Sequence, residues 1–127
     1  RHQGLVGLDG VYGVTFKEFK PLDAGGPLTT GALAKGDIDV ANVFSTDSAI
    51  PTNGWVVLED PENLFLSQNV VPLIRSEALS SDAETALNAV SEALTTANLT
   101  EALAKVQVDK ADPATVAKEF LADNGVS

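Results

Sequence analysis

The residues with chemical potential lie in a few short runs. Ser45-Thr46-Asp47-Ser48 places hydroxyls and a carboxylate together directly after Phe44, a composition suited to holding a small polar ligand. The same run serves equally as an Asx or Ser/Thr turn that satisfies its own backbone. Gly25-Gly26-Pro27 resembles a weak anion nest of outward-facing N–H groups, although a plain helix-starting turn is the commoner meaning of such a triplet. Glu59 and Asp60 are neighbouring carboxylates, yet adjacent strand residues face opposite sides. A solvated strand end explains them better than acid–base work. The stretch from Asp37 to Asn42 is acidic but lacks the glycine at the sixth position and the acid at the twelfth that a calcium loop requires.

What is missing narrows the chemistry further. The single histidine is His2, so a Ser-His-Asp constellation would have to be assembled from a chain end. With no cysteine there are no disulfides, thiolate metal sites or thiol nucleophiles. No catalytic residue, metal or cofactor is expected. A net charge of -10 disfavours nucleic acid, whose phosphates need clustered Lys and Arg, and also disfavours anionic membrane surfaces. Its plain meaning is a solvated surface. The 127 residues, 44% hydrophobic and 20% charged, fit one ordinary globular domain. No apolar run reaches the roughly 18 to 20 residues that span a bilayer, and no charged-then-apolar signal pattern marks the first residues.

These runs need elements to hold them. Val14–Lys20 reads as a short aromatic-rich strand, and Pro27–Lys35 as a helix with proline at its first position and Gly36 as its stop. Asp37–Phe44 reads as a strand buried on both faces, which makes strand, helix and strand a compact βαβ unit. Ligands tend to meet such units at the carboxyl ends of strands, here Ser45-Thr46-Asp47. Trp55–Glu59 is a further strand, and Val70–Ile74 an edge strand or crossover because Pro72 cannot donate to a ladder. After Arg75 the pattern turns helical. Ser81 and Glu84 have capping-box spacing ahead of the stripe Ala83, Ala86, Leu87, Val90 and Leu94. Asn98 and Glu101 signal a second helix that buries Leu99, Ala102, Leu103 and Val106. Asp112-Pro113 starts a third, with Val116, Phe120 and Leu121 inward and Gly125 beyond its end.

Several separated blocks in unbroken order then carry a resemblance: VYGVTFKEFKPLDAGGPLT, LAKGDIDVANVFSTD, VVLEDPENLF, QNVVPLIR and VDKADPATVAKEFLADNG. From about Gly7 to its end the chain resembles the C-terminal half of the glycine betaine/choline/carnitine substrate-binding proteins of ABC importers. The resemblance implies an α/β fold of the periplasmic-binding-protein type II class, present in part: a βαβ-containing piece of one lobe, then a strand and three C-terminal helices of the other. It places 1–62 in the later part of the second, inserted lobe, 63–75 in the lobe-return crossover and 76–127 in the helical part of the first lobe.

The resemblance also implies a function without chemistry. Such proteins trap a small polar or quaternary-ammonium solute between closing lobes, outside the cytoplasmic membrane in the periplasm or lipid-anchored at the cell surface, and deliver it to a membrane permease. Relatives that hold quaternary ammonium groups use aromatic faces. Phe44 occupies one such position, whereas Gln68 stands where a tyrosine is usual. An amide suits a hydroxylated solute better than a bare trimethylammonium group. Phe44, Thr46, Asp47, Gln68 and Asn69 are expected to line the cleft, with Gly25 and Gly26 as secondary candidates. The expected partners are the solute, the permease, and either the missing N-terminal half or a second copy of the chain; nucleic acid is not among them. The competing meanings are the effector-sensing domain of a transcriptional regulator with the same architecture, and a ligand-free structural or interaction domain. Half of each lobe alone exposes apolar surface, so stability only with a complementary fragment or in an intertwined oligomer is expected.

Overall fold

The computed structural model describes residues 3–126. His2, the single histidine, and Ser127, the last residue of the expected helical part, lie outside the described residues. The chain divides into two compact units. One comprises the residues up to Phe44 together with Asn53–Gln68, and the other comprises Ser45–Thr52 together with the residues from Asn69 onward.

In the first unit, α1 spans Leu5–Tyr12 and α2 spans Pro27–Lys35. Helix α1 was not expected from the sequence, because Gly7 and Gly10 lower helix propensity in its middle. Its end is nonetheless well marked: Gly13 takes the left-handed conformation at φ 65°, and its N–H and that of Val14 return to the carbonyls of Asp9 and Leu8 at 2.8 and 3.2 Å. This is a Schellman-type stop. The α2 helix has the bounds its sequence implies, from Pro27 at the first position to Gly36 at φ 75°.

In the second unit lie α4 (Ser81–Ala93), α5 (Thr96–Gln107) and α6 (Pro113–Asp123), together with the first four residues of the short α3 (Ala49–Asn53). Each long helix opens on a side-chain cap that relieves one of the unpaired N–H groups of its first turn. The first cap is Ser80 and not Ser81: its hydroxyl accepts the Ala83 N–H at 3.2 Å. The next is Thr95, in a full capping box with Asn98, so the asparagine expected to start this helix instead answers the cap from the third position. The last is Asp112, which accepts the Thr115 N–H at 2.9 Å. Helices α5 and α6 pack together, with Val116 only 5% exposed and Lys105 bonded to Glu119 at 2.9 Å across the surface. An exposed pair of this kind adds little to stability.

Among the described residues no segment is a β-strand, which corrects the expected βαβ unit and later strands. The segments 14–20, 37–44, 55–59 and 70–74 are non-helical but lack ladder partners. The physical reason is that a strand is completed only by another strand's N–H and C=O groups, whereas a helix satisfies itself. Most of their apolar side chains stand in solvent, Val56 at 84% exposed and Leu73 fully so, while Ile38, Val43 and Trp55 are half-buried. The buried apolar residues are few, namely Ala32, Leu64 and Val116. The exposed area of 9831 Å² exceeds the roughly 7,700 Å² expected of two compact units of half this mass each. No helix among the described residues is long and apolar enough to cross a membrane.

Candidate functional site

Gly25, Gly26 and Phe44 are brought together within the first unit. Gly25 is buried at φ 82°, a left-handed conformation that side chains resist. A Cβ there would sit 3.4 Å from both the Asn42 carbonyl oxygen and Val43 Cα, and 3.7 Å from the Phe44 ring. The backbone of Asn42–Phe44 therefore lies directly on the glycine turn. Phe44 itself stays 63% exposed. An aromatic ring whose backbone is fixed and whose face is open has surface to offer a ligand.

The N–H groups at the start of α2 are already taken. Those of Leu28 and Thr29 donate to the Asp23 carboxylate at 3.0 and 2.8 Å. The Thr29 hydroxyl donates to Asp23 Oδ1 at 2.9 Å and to the Asp23 carbonyl. The backbone N–H of Leu28 holds the Asp23 carboxyl below its usual range against the opposing effect of partial burial, with the bonds from Thr29 each adding less. Gly26 leaves room for this: a Cβ there would lie 2.5 Å from Asp23 Oδ2. The nest is thus filled by the chain's own carboxylate, and Gly25 and Gly26 shape the turn beneath Phe44.

Thr46 and Asp47 lie in the second unit and are both half-buried. One Asp47 oxygen accepts the Ala49 N–H at 2.8 Å, so the Asx-turn alternative is realised. The remaining lone pairs of the carboxylate are not used by that bond. Ser48 is only 4% exposed, and its hydroxyl donates to Gln107 Oε1 of α5 at 3.3 Å. Gln68 and Asn69 are both exposed; Gln68 is the last residue of the first unit and Asn69 begins the next stretch of the second.

Tyr12 and Asp60 were missed as organising residues. Asp60, expected as a solvated strand end, is half-buried and turned onto backbone: it accepts the Leu64 N–H at 3.0 Å and the Phe65 N–H at 2.7 Å. The Tyr12 hydroxyl donates to the same carboxylate and accepts the Glu62 N–H at 2.9 Å. The Tyr12 phenol and then the Phe65 N–H hold the Asp60 carboxyl below its usual range. Partial burial, then the bond to Asp60, pushes the Tyr12 phenol up. Asp60 as the first residue of a proline-containing turn was the available signal; a partner 48 positions away leaves none.

Among the described residues no cluster of three or more His, Cys, Asp or Glu could hold a metal ion. Two adjoining open grooves, of about 370 and 320 Å³, run between α4 and Gly125-Val126. None of the candidate ligand-binding residues lines them.

Residues 1–123 match the family described as the substrate binding domain of the ABC-type glycine betaine transport system. Two curated proteins from Listeria monocytogenes, one of them from serotype 1/2a strain 10403S, are each named carnitine transport binding protein OpuCC. Each is 28% identical over 123 residues, which is 95% of this chain and 39% of the relative. The chain therefore spans about two fifths of the length of the curated relatives it matches. No solved structure gives a significant match.

Proposed function

The chain belongs to the family of substrate-binding domains of ABC-type glycine betaine transport systems, a family of transport proteins and not of enzymes, and from that premise we propose that it forms part of a solute-capturing cleft. The whole protein binds a small polar or quaternary-ammonium solute of the betaine, choline or carnitine class between two lobes. It works outside the cytoplasmic membrane and hands the solute to a membrane permease.

Phe44 carries this reading. Its backbone is seated on a turn whose left-handed φ favours glycine, its ring is open, and hydroxyl and carboxylate groups follow it immediately in sequence. Thr46, Asp47, Gln68 and Asn69 are the further contacts. An aromatic face contributes about 0.5 to 2 kcal/mol to a bound cation, depending on how dry the site is. The Gln68 amide adds a donor and an acceptor that a hydroxylated solute uses.

On this reading 1–62 is the later part of one lobe, 63–75 the crossover and 76–127 the helical part of the other. The exposed apolar side chains at 56–58, 66 and 70–73 are covered by the remaining polypeptide of the whole protein, or by a second copy of the chain. Ligand-induced thermal stabilisation tests the function. In a protein of the relatives' full length, at least one of carnitine, glycine betaine, choline and a polyhydroxylated solute raises the melting temperature, and Phe44→Ala reduces the rise. A panel in which none shifts the melt contradicts the ligand class.

A further inference from the structure

Four hydrogen bonds meet where Tyr12, the last residue of α1, reaches the turn that begins at Asp60. The phenol donates to Asp60 and accepts from Glu62, and the Asp60 carboxylate accepts from Leu64 and Phe65. The turn is held further by the Asn63 N–H on the Asp60 carbonyl at 3.1 Å, with Asn63 in the left-handed region at φ 53°, and by Leu64, which is only 6% exposed. From Phe65 to Gln68 every residue is exposed. Three residues of chain reach at most about 11 Å, so the last anchor, at Phe65, sets where Gln68 can go.

We propose that Tyr12 and Asp60 are positioning residues for Gln68: their clasp ties the start of the 60–68 connection to α1 and so limits where the Gln68 amide, proposed above as a solute contact, can lie. This rests on Gln68 being a solute contact. The bond partners explain why both groups are needed. Asp60 alone closes a local turn, because its bonds to Leu64 and Phe65 span only a few residues. The Tyr12 hydroxyl bonds that turn to an element 48 positions earlier in sequence. Tyr12→Phe removes the hydroxyl and keeps the ring, so it loosens the tie while leaving the packing of the ring in place.

The test uses a protein of the relatives' full length and four variants: Tyr12→Phe, Asp60→Asn, Gln68→Ala and the Tyr12→Phe/Gln68→Ala double variant. Calorimetric titration with carnitine, glycine betaine and choline is expected to show about tenfold weaker binding for Tyr12→Phe and for Asp60→Asn. In the Gln68→Ala background, Tyr12→Phe should then produce no further loss, because residues acting through one another are non-additive. Full additivity overturns the proposal. A second measurement stands apart from ligand: in solute-free protein, Tyr12→Phe is expected to lower the backbone NMR order parameters of residues 66–68 below about 0.6, and unchanged values overturn the clasp. A parent protein that binds none of the solutes overturns Gln68 as a solute contact, and the relaxation measurement then decides whether the clasp holds the connection.

Discussion

The helices from Ser81 to Asp123 and the segments from Trp55 to Ile74 carry comparable apolar content and end differently. Each of the three helices closes its backbone internally, caps its own start and half-buries its stripe. In the other region Val56, Val57, Leu58, Val70, Val71 and Leu73 all stand in solvent, and Leu64 alone is buried. A helix needs tertiary contacts only to bury one face. A strand needs them to satisfy its backbone as well. The difference separates a region whose backbone is satisfied by its own helices from one whose backbone is not paired among the described residues.

Substitutions can break or sharpen that contrast. The largest effect is expected at Gly25→Val, where a β-branched residue at φ 82° meets the backbone of Asn42 and Val43. A loss of roughly 2 to 3 kcal/mol is predicted, read by chemical denaturation with Trp55 fluorescence as the local probe. Val116→Ala should destabilise the helical region by about 2 kcal/mol, read by circular dichroism. If Val116→Ala proves neutral, the helical region is not packed as described.

Smaller effects separate observed caps from expected ones. Ser80→Ala and Thr95→Ala should each cost about 1 kcal/mol, and Ser81→Ala almost nothing, because the Ser80 hydroxyl holds the Ala83 N–H. Acid should act on the first unit through Asp23 and Asp60. Both carboxyls lie below their ordinary value of 3.8 in the folded chain, so the unfolded chain takes up protons first. The stability they supply is present above that value and declines as pH falls from about 4 through their folded values, which a Trp55 melt at stepped pH would follow. The smallest effect is expected at Leu73→Ser, within about 0.5 kcal/mol in this chain alone, since the side chain is fully exposed.

The same contrast explains what was legible in the sequence. Pro27 and Gly36 marked α2 to the residue, and Asp112-Pro113 marked the start of α6, because caps and stops are local chemistry. Helix α1 escaped because two glycines mask its propensity, although Gly13 carried the stop signal. The strand patterns described which side chains would suit a pleat and could not supply the pairing partner. The seat of Phe44 on Gly25 was not legible, since that contact joins residues distant in sequence. Asp23 and Asp60 were overlooked for a related reason: a carboxylate's worth depends on which N–H groups the fold turns toward it, and in Asp60's case on a phenol from helix α1.

Hydrogen exchange by mass spectrometry, on this chain alone and on a protein of the relatives' full length, tests the central contrast most directly. Helices 81–93, 96–107 and 113–123 should be protected in both, whereas 55–59 and 70–74 should exchange at once in the chain alone and become protected only in the longer protein. Protection of 55–59 and 70–74 in the chain alone would contradict the account, because those segments would then have found their partners without further polypeptide.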